Sequence, residues 1–167
     1  CAASTVEYQR LALDDVRPDT VLWISTWEIA DYEVDGERLR FGTEAWDRWF
    51  SGEMERVRAA VAEHGARLVL VTNPPVAPNP IRTVSAEDHR RNQEFARRHP
   101  DVALVDLASI VCPGGAPCPT TQDGIVLRPK DGGHYEAEGA AWAARRLLDE
   151  LYTVLRAKEA STQEPPP

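Results

Sequence analysis

The sequence predicts a three-layer α/β/α sandwich built on a mostly parallel sheet. Three short apolar runs, rich in β-branched residues and bounded by turn signals, read as strands buried on both faces. Longer stretches with apolar residues at three- and four-residue steps separate them, and strands alternating with helices favour a parallel sheet. A length of 167 residues suits one domain. Such a chain can bury about 70% of its unfolded surface.

In chain order, Thr5 to Val16 is helical, carrying Val6, Leu11, Leu13 and Val16 among charges. A Pro18-Asp19 turn signal precedes the first strand run, Val21 to Thr26. The second helix spans Thr43 to Glu63, where Trp46, Trp49, Phe50, Met54, Val57 and Val61 recur at helical steps, and Gly65 ends it. The second strand run, Arg67 to Asn73, stops at Pro74-Pro75. Ser85 to Arg98 forms the third helix, with Ser85 as cap and Asp88 in the first turn. Val102 to Leu107 is the third strand run, after His99-Pro100. The last helix runs from about Tyr135 to Ala157, so the domain is expected over 1–158 and a disordered polar tail over 159–167.

No apolar stretch approaches the roughly 18 residues of a membrane span. With 27 acidic and 19 basic residues the net charge is −8, and no basic block forms, so nucleic acid has no electrostatic footprint to meet. Cys112 and Cys118 bracket a Gly- and Pro-rich loop that can bring them within bonding range; a disulfide, and with it an oxidising compartment, is preferred to two free thiols. No His or further Cys nearby completes a zinc site. The chain opens at Cys1 with no Met. It reads as clipped or excerpted rather than as a mature lipoprotein, because helical patterning begins without a tether.

In such folds ligands bind beyond the carboxyl ends of the strands. That directs attention to Ser25-Thr26-Trp27-Glu28, Asn73-Pro74-Pro75 and Asp106. Just before the last helix lies Asp131-Gly132-Gly133-His134-Tyr135. There an imidazole can accept a proton from a nucleophile while a carboxylate holds its tautomer. The plainer alternative makes Asp131 a helix cap and His134 a surface residue of the first turn. No dinucleotide or Walker pattern is present, and no metal or organic cofactor is expected. His64, His89 and His99 read as surface residues, with His64 and His99 complementing helix carboxyl ends. Trp46 and Trp49, near Phe50, read as core or lid packing rather than a sugar platform. The Arg90-Arg91 and Arg97-Arg98 pairs read as a solvated helix face.

The ordered set of motifs resembles the SGNH/GDSL hydrolase superfamily, and within it the extracytoplasmic SGNH domains attached to membrane acyltransferases of bacterial polysaccharides. The likeness runs through Arg17-Pro18-Asp19-Thr20-Val21-Leu22-Trp23-Ile24, Ser25-Thr26-Trp27-Glu28, Thr72-Asn73-Pro74-Pro75, Asn92 and Val105-Asp106-Leu107. It continues through Cys112-Pro113, Asp123-Gly124, Arg128, Asp131-Gly132-Gly133-His134 and Gly139-Ala140. It implies a flavodoxin-like fold in which His134 is the general base and Asp131 its orienting carboxylate. The family's nucleophilic serine lies in a G-D-S motif after the first strand, which this sequence lacks; strand and serine are expected upstream. Trp27 stands where typical members place an oxyanion-binding Asn. Its indole N–H can donate one hydrogen bond, or its ring can wall the cleft. Ser25 reads as a substitute for the motif's glycine, not as a nucleophile. The implied activity is serine esterase or O-acyltransferase chemistry on acyl, chiefly acetyl, esters of cell-envelope carbohydrate. The implied setting is extracytoplasmic, with a membrane acyltransferase domain as partner and a membrane tether through the missing N-terminal sequence. The rival expectation is an inactive accessory domain that binds glycan or docks a partner.

Overall fold

A computed structural model describes residues 2–24, 30–75, 81–128 and 133–163, with side chains over 7–24, 30–75, 88–128 and 133–158. Its elements are α1 (Ala2–Val16), β1 (Thr20–Trp23), β2 (Tyr32–Val34), β3 (Glu37–Leu39), α2 (Glu44–Glu63) and β4 (Arg67–Val71). They continue with α3 (Ile81–Arg98), β5 (Ala103–Val105), α4 (Leu107–Val111), β6 (Thr121–Gln122), β7 (Ile125–Val126) and α5 (Ala137–Gln163). The expected α/β fold is present: β1, β4 and β5 form a parallel sheet in the order β1-β4-β5, and the remaining strands pair as two small hairpins. Two compact units divide the chain. The first takes in the described residues up to Trp23 and from Ala30 to Val69; the second takes in Ile24 and those from Leu70 onward.

In the first unit, α2 forms where the periodicity placed it. Thr43 caps its N-terminus by accepting from the Trp46 amide, and Glu44 and Asp47 meet the positive end of the helix dipole. Gly65, at φ +71°, lets the chain turn back: its amide donates to Ala62 O and that of Ala66 to Val61 O. The inward face carries Trp46, Phe50, Met54 and Val61. Trp46 stacks on Phe50 at 4.8 Å between ring centroids, meets Phe41 edge-on and donates its indole N–H to Ala30 O. The aromatic residues of α2 are thus packing groups. The β2–β3 hairpin, not anticipated from the sequence, turns on Asp35-Gly36, both at positive φ. Tyr32 of this hairpin packs on Trp49 at 4.7 Å.

In the second unit the Thr72 amide extends the β4–β5 pairing by donating to Val105 O. The core comprises Leu70, Val71, Phe95, Val102, Val105, Val111, Leu127 and Trp142 among others. α3 begins at Ile81 rather than Ser85, since residues 81–84 contain neither Gly nor Pro to delay it. α5 extends past Ala157 to Gln163, so 159–163 is helical where a disordered tail was expected. Ala157-Lys158-Glu159-Ala160 are strong helix formers, and no breaker occurs before Pro165. Residues 164–167 lie outside the described set. Lys158 Nζ donates to Pro100 O at 2.7 Å and Val102 O at 2.9 Å, fastening α5 to the approach of β5. A disulfide joins Cys112 to Cys118 across a Cα separation of 4.7 Å. Among the described residues no helix is long and apolar enough to cross a membrane.

Gly139, in the first turn of α5, is where the helix meets the strand-end segment most closely. A Cβ there would stand 2.5 Å from Leu127 O and 2.8 Å from Leu127 Cα. Alanine gains about 1 kcal/mol of helix propensity over glycine, but a clash with backbone has no flexible group to yield. Gly139→Ala is therefore expected to destabilise the fold by about 1–3 kcal/mol net, read as a lower midpoint in urea unfolding.

Candidate active site

The site is built from segments of the second unit that follow β4, β5 and β7 and precede α5. After β4, the fully buried Thr72 places its hydroxyl between two partners. Thr72 Oγ1 donates to Asp106 Oδ1 at 2.7 Å and accepts from the Ala108 amide at 3.0 Å. Asp106 caps α4: its Oδ1 also accepts from the Ser109 amide at 3.1 Å, and its Oδ2 from Ser109 Oγ at 2.7 Å. His89 of α3 lies 3.7 Å from Oδ1 through its Nδ1. Burial works to raise the Asp106 carboxyl, but the hydrogen bonds from Ser109 and Thr72, with the charge of His89, outweigh it and hold the group below its ordinary 3.8.

This Asp-Ser-His grouping is not wired as a catalytic triad. A triad needs the imidazole between serine and carboxylate, so that the ring can accept the hydroxyl proton. Here the carboxylate stands between the two, and the Ser109 hydroxyl donates its hydrogen bond to Asp106. The group is a helix cap that ties the end of β4 to the end of β5.

A second set of contacts brings the remaining segments together. Arg128, two residues beyond β7, is buried at 3% exposure and donates from Nη1 to Pro75 O at 3.1 Å. Its guanidinium lies 5.8 Å from the centroid of the Tyr135 ring. The Glu136 amide donates to Leu127 O at 3.3 Å. Arg128 thus joins the segment after β4 to the entrance of α5. Burial pushes the Tyr135 hydroxyl above its ordinary value, partly offset by the Arg128 charge, and that hydroxyl has no hydrogen-bond partner.

His134 is exposed, one residue before Tyr135 and three before the start of α5. Asp131 and Trp27, the other two residues expected at the site, lie outside the described set, as does Ser25. Among the described residues there is no group of three or more His, Cys, Asp or Glu side chains able to hold a metal. The residues that sequence reading left without a role are Thr72, Ser109, Arg128 and Tyr135. Asp106 followed by Ser109 is a capping signal visible in sequence, whereas the Arg128–Pro75 contact spans 53 positions and has no local signature.

The family model for SGNH domains fused to AT3 domains matches residues 1–149. Among solved structures, the chain is similar to the crystal structure of a candidate acylhydrolase from Bacteroides fragilis. The two share 20% identity at a TM-score of 0.59, over 92% of this chain and 69% of that one. At that identity the likeness concerns the fold. No match was found among curated proteins.

Removing the Thr72 hydroxyl tests the first network. Thr72→Val keeps the shape but deprives Asp106 of a donor and leaves the buried Ala108 amide without its acceptor, an expected cost of about 1–3 kcal/mol at neutral pH. A carboxyl held below 3.8 contributes stability that is present above 3.8 and lost as pH falls through its lower folded value. The deficit of the variant relative to wild type should therefore shrink in acid, as measured by urea unfolding at neutral and acid pH.

Proposed function

The chain belongs to the family of SGNH domains that are fused to AT3 domains, and we propose that it serves as a serine esterase or O-acyltransferase domain acting on acyl, chiefly acetyl, esters of cell-envelope carbohydrate. The family match carries this reading, because residues 1–149 contain the parallel strands, the Thr72–Asp106 junction and the His134 segment together. The first two are scaffold; His134 is the working group.

In this mechanism a serine hydroxyl attacks the ester carbonyl while His134 takes its proton. The tetrahedral intermediate then collapses, and His134 returns the proton to the departing alcohol, leaving an acyl-serine. Water, or a second sugar hydroxyl, attacks that acyl group as His134 accepts its proton and passes it back to the serine. Asp131 orients the imidazole and stabilises its charged form. Exposure of His134 suits a group that must meet both substrate and nucleophile.

The reading takes the serine from a strand and loop outside these 167 residues, since no G-D-S motif occurs among them. β1 is compatible with an added strand. It is outermost in the sheet among the described residues, its Val21, Leu22 and Trp23 are half-buried, and Ile24 beyond it is 47% exposed. Apolar composition without a charged or proline guard is unusual for a strand meant to remain at an edge. An AT3 membrane acyltransferase domain is the proposed partner, after the fusion that gives the family its description. An extracytoplasmic setting is supported by the Cys112–Cys118 disulfide.

The test is an aryl-acetate esterase assay on the full-length protein with His134→Ala. Loss of a positioned general base should lower kcat by about a hundredfold to ten-thousandfold, with the melting temperature little changed because the side chain is exposed. Turnover equal to wild type would show that His134 is not the base. A full-length wild type that binds glycan but turns over no ester would instead favour the accessory-domain function.

A further inference from the structure

Outside the site, one side chain bridges two helix ends. His64 is the C-terminal cap of α2, and its imidazole makes two polar contacts. Nδ1 lies 2.7 Å from Ala60 O, in the last turns of its own helix, and Nε2 lies 3.0 Å from Asp14 Oδ1, near the end of α1. A backbone carbonyl and a carboxylate can only accept, so both ring nitrogens must carry hydrogen, which only the imidazolium does.

The local charges reinforce this assignment. Neither α1 nor α2 has a basic residue in its last turn, and that of α1 carries Asp14 and Asp15, where the helix dipole is already negative. The charged groups acting on the ring are Asp14 from α1 and Glu63 from its own helix, both acidic. The imidazolium therefore lies between two negative helix ends, with Arg17 as the next cation, one residue beyond α1. On deprotonation the neutral ring can keep its Nδ1–H bond to Ala60 but turns a lone pair toward the Asp14 carboxylate. Helix α2 retains its cap while α1 is released.

We propose that His64 is a pH-operated latch that fastens the C-terminal end of α1 to α2 when protonated and releases it when neutral. Leu13 is the one buried side chain of α1 among those described, from Glu7 to Val16, and the others of that stretch are exposed. Helix α1 leads through Arg17–Asp19 directly into β1, so the latch governs how firmly that strand's approach is held. The device is independent of the acyl chemistry proposed above.

Hydrogen bonds to Ala60 and Asp14, opposed by partial burial, raise the His64 pKa above its ordinary 6.5. Stability from a raised group is complete below 6.5 and is lost as pH climbs through the higher folded value. Amide hydrogen exchange in the full chain, corrected for intrinsic rates, reads the effect, with β4 amides as internal reference. Between about pH 5.5 and about pH 8.5, on either side of the histidine titration, protection over residues 11–17 should fall relative to β4. The expected fall is about twofold to fivefold, the size of charge effects at a helix end. In Asp14→Ala, which alters an exposed side chain, this pH dependence should vanish. Nitrogen NMR of the wild-type ring should show both nitrogens protonated at the lower pH. Constant wild-type protection, an Asp14→Ala variant with the wild-type response, or a neutral ring at about pH 5.5 would each overturn the latch.

Discussion

The Thr72 hydroxyl is the junction on which the second unit's strand ends depend. A buried hydroxyl must both give and receive to offset its desolvation. Thr72 does so across two neighbouring strands, donating to the residue that follows β5 and accepting from the helix that this residue caps. The carboxylate so engaged can no longer move freely, and the first turn of α4 is fixed with it. Loops beyond parallel strands are otherwise the least constrained regions of an α/β fold. Here the one after β5 is pinned at its first residue.

Arg128 has the corresponding role between β7 and α5. Its buried guanidinium holds the peptide carbonyl of Pro75 and lies over Tyr135, so chain segments far apart in sequence share one anchor. The close approach of Gly139 to Leu127 leaves no space for a side chain between the helix entrance and this anchor. In consequence the chain is held at Arg128 and again from Tyr135 onward, and His134, next to Tyr135, is exposed.

Much of this was legible in the sequence, for physical reasons that differ by element. The sheet strands were legible because each is a short apolar run between turn residues, and α2 because Trp46, Phe50, Met54 and Val61 keep helical spacing through to Gly65. The short hairpins were not, since two- or three-residue strands show no periodicity, although Asp35-Gly36 is a strong turn signal in retrospect. Helix α4 was hidden by its five-residue length, with only Asp106 and Ser109 to announce it. At the site, the His134 segment was singled out from an Asp and a His three apart, with glycines between them, just before the last helix. The roles of Thr72 and Arg128 could not be, because their partners lie 34 and 53 residues away. Asp131 and Trp27 were singled out from sequence alone and lie outside the described residues.

The placement of the tryptophans has a practical corollary. Trp23, Trp46 and Trp49 belong to the first unit, within a cluster of aromatic rings, whereas Trp142 belongs to the second and donates its indole N–H to Asp123. The Arg146 guanidinium lies 5.4 Å from the Trp142 ring centroid, beside the carboxylate that the indole meets. Among the described tryptophans, intrinsic fluorescence therefore holds two separable signals, to which Trp27, outside the described residues, adds a third source. One reports the loosening of an aromatic cluster, the other the parting of a single indole from a charged pair. The chain carries within itself the means to learn whether its two units melt together or in turn.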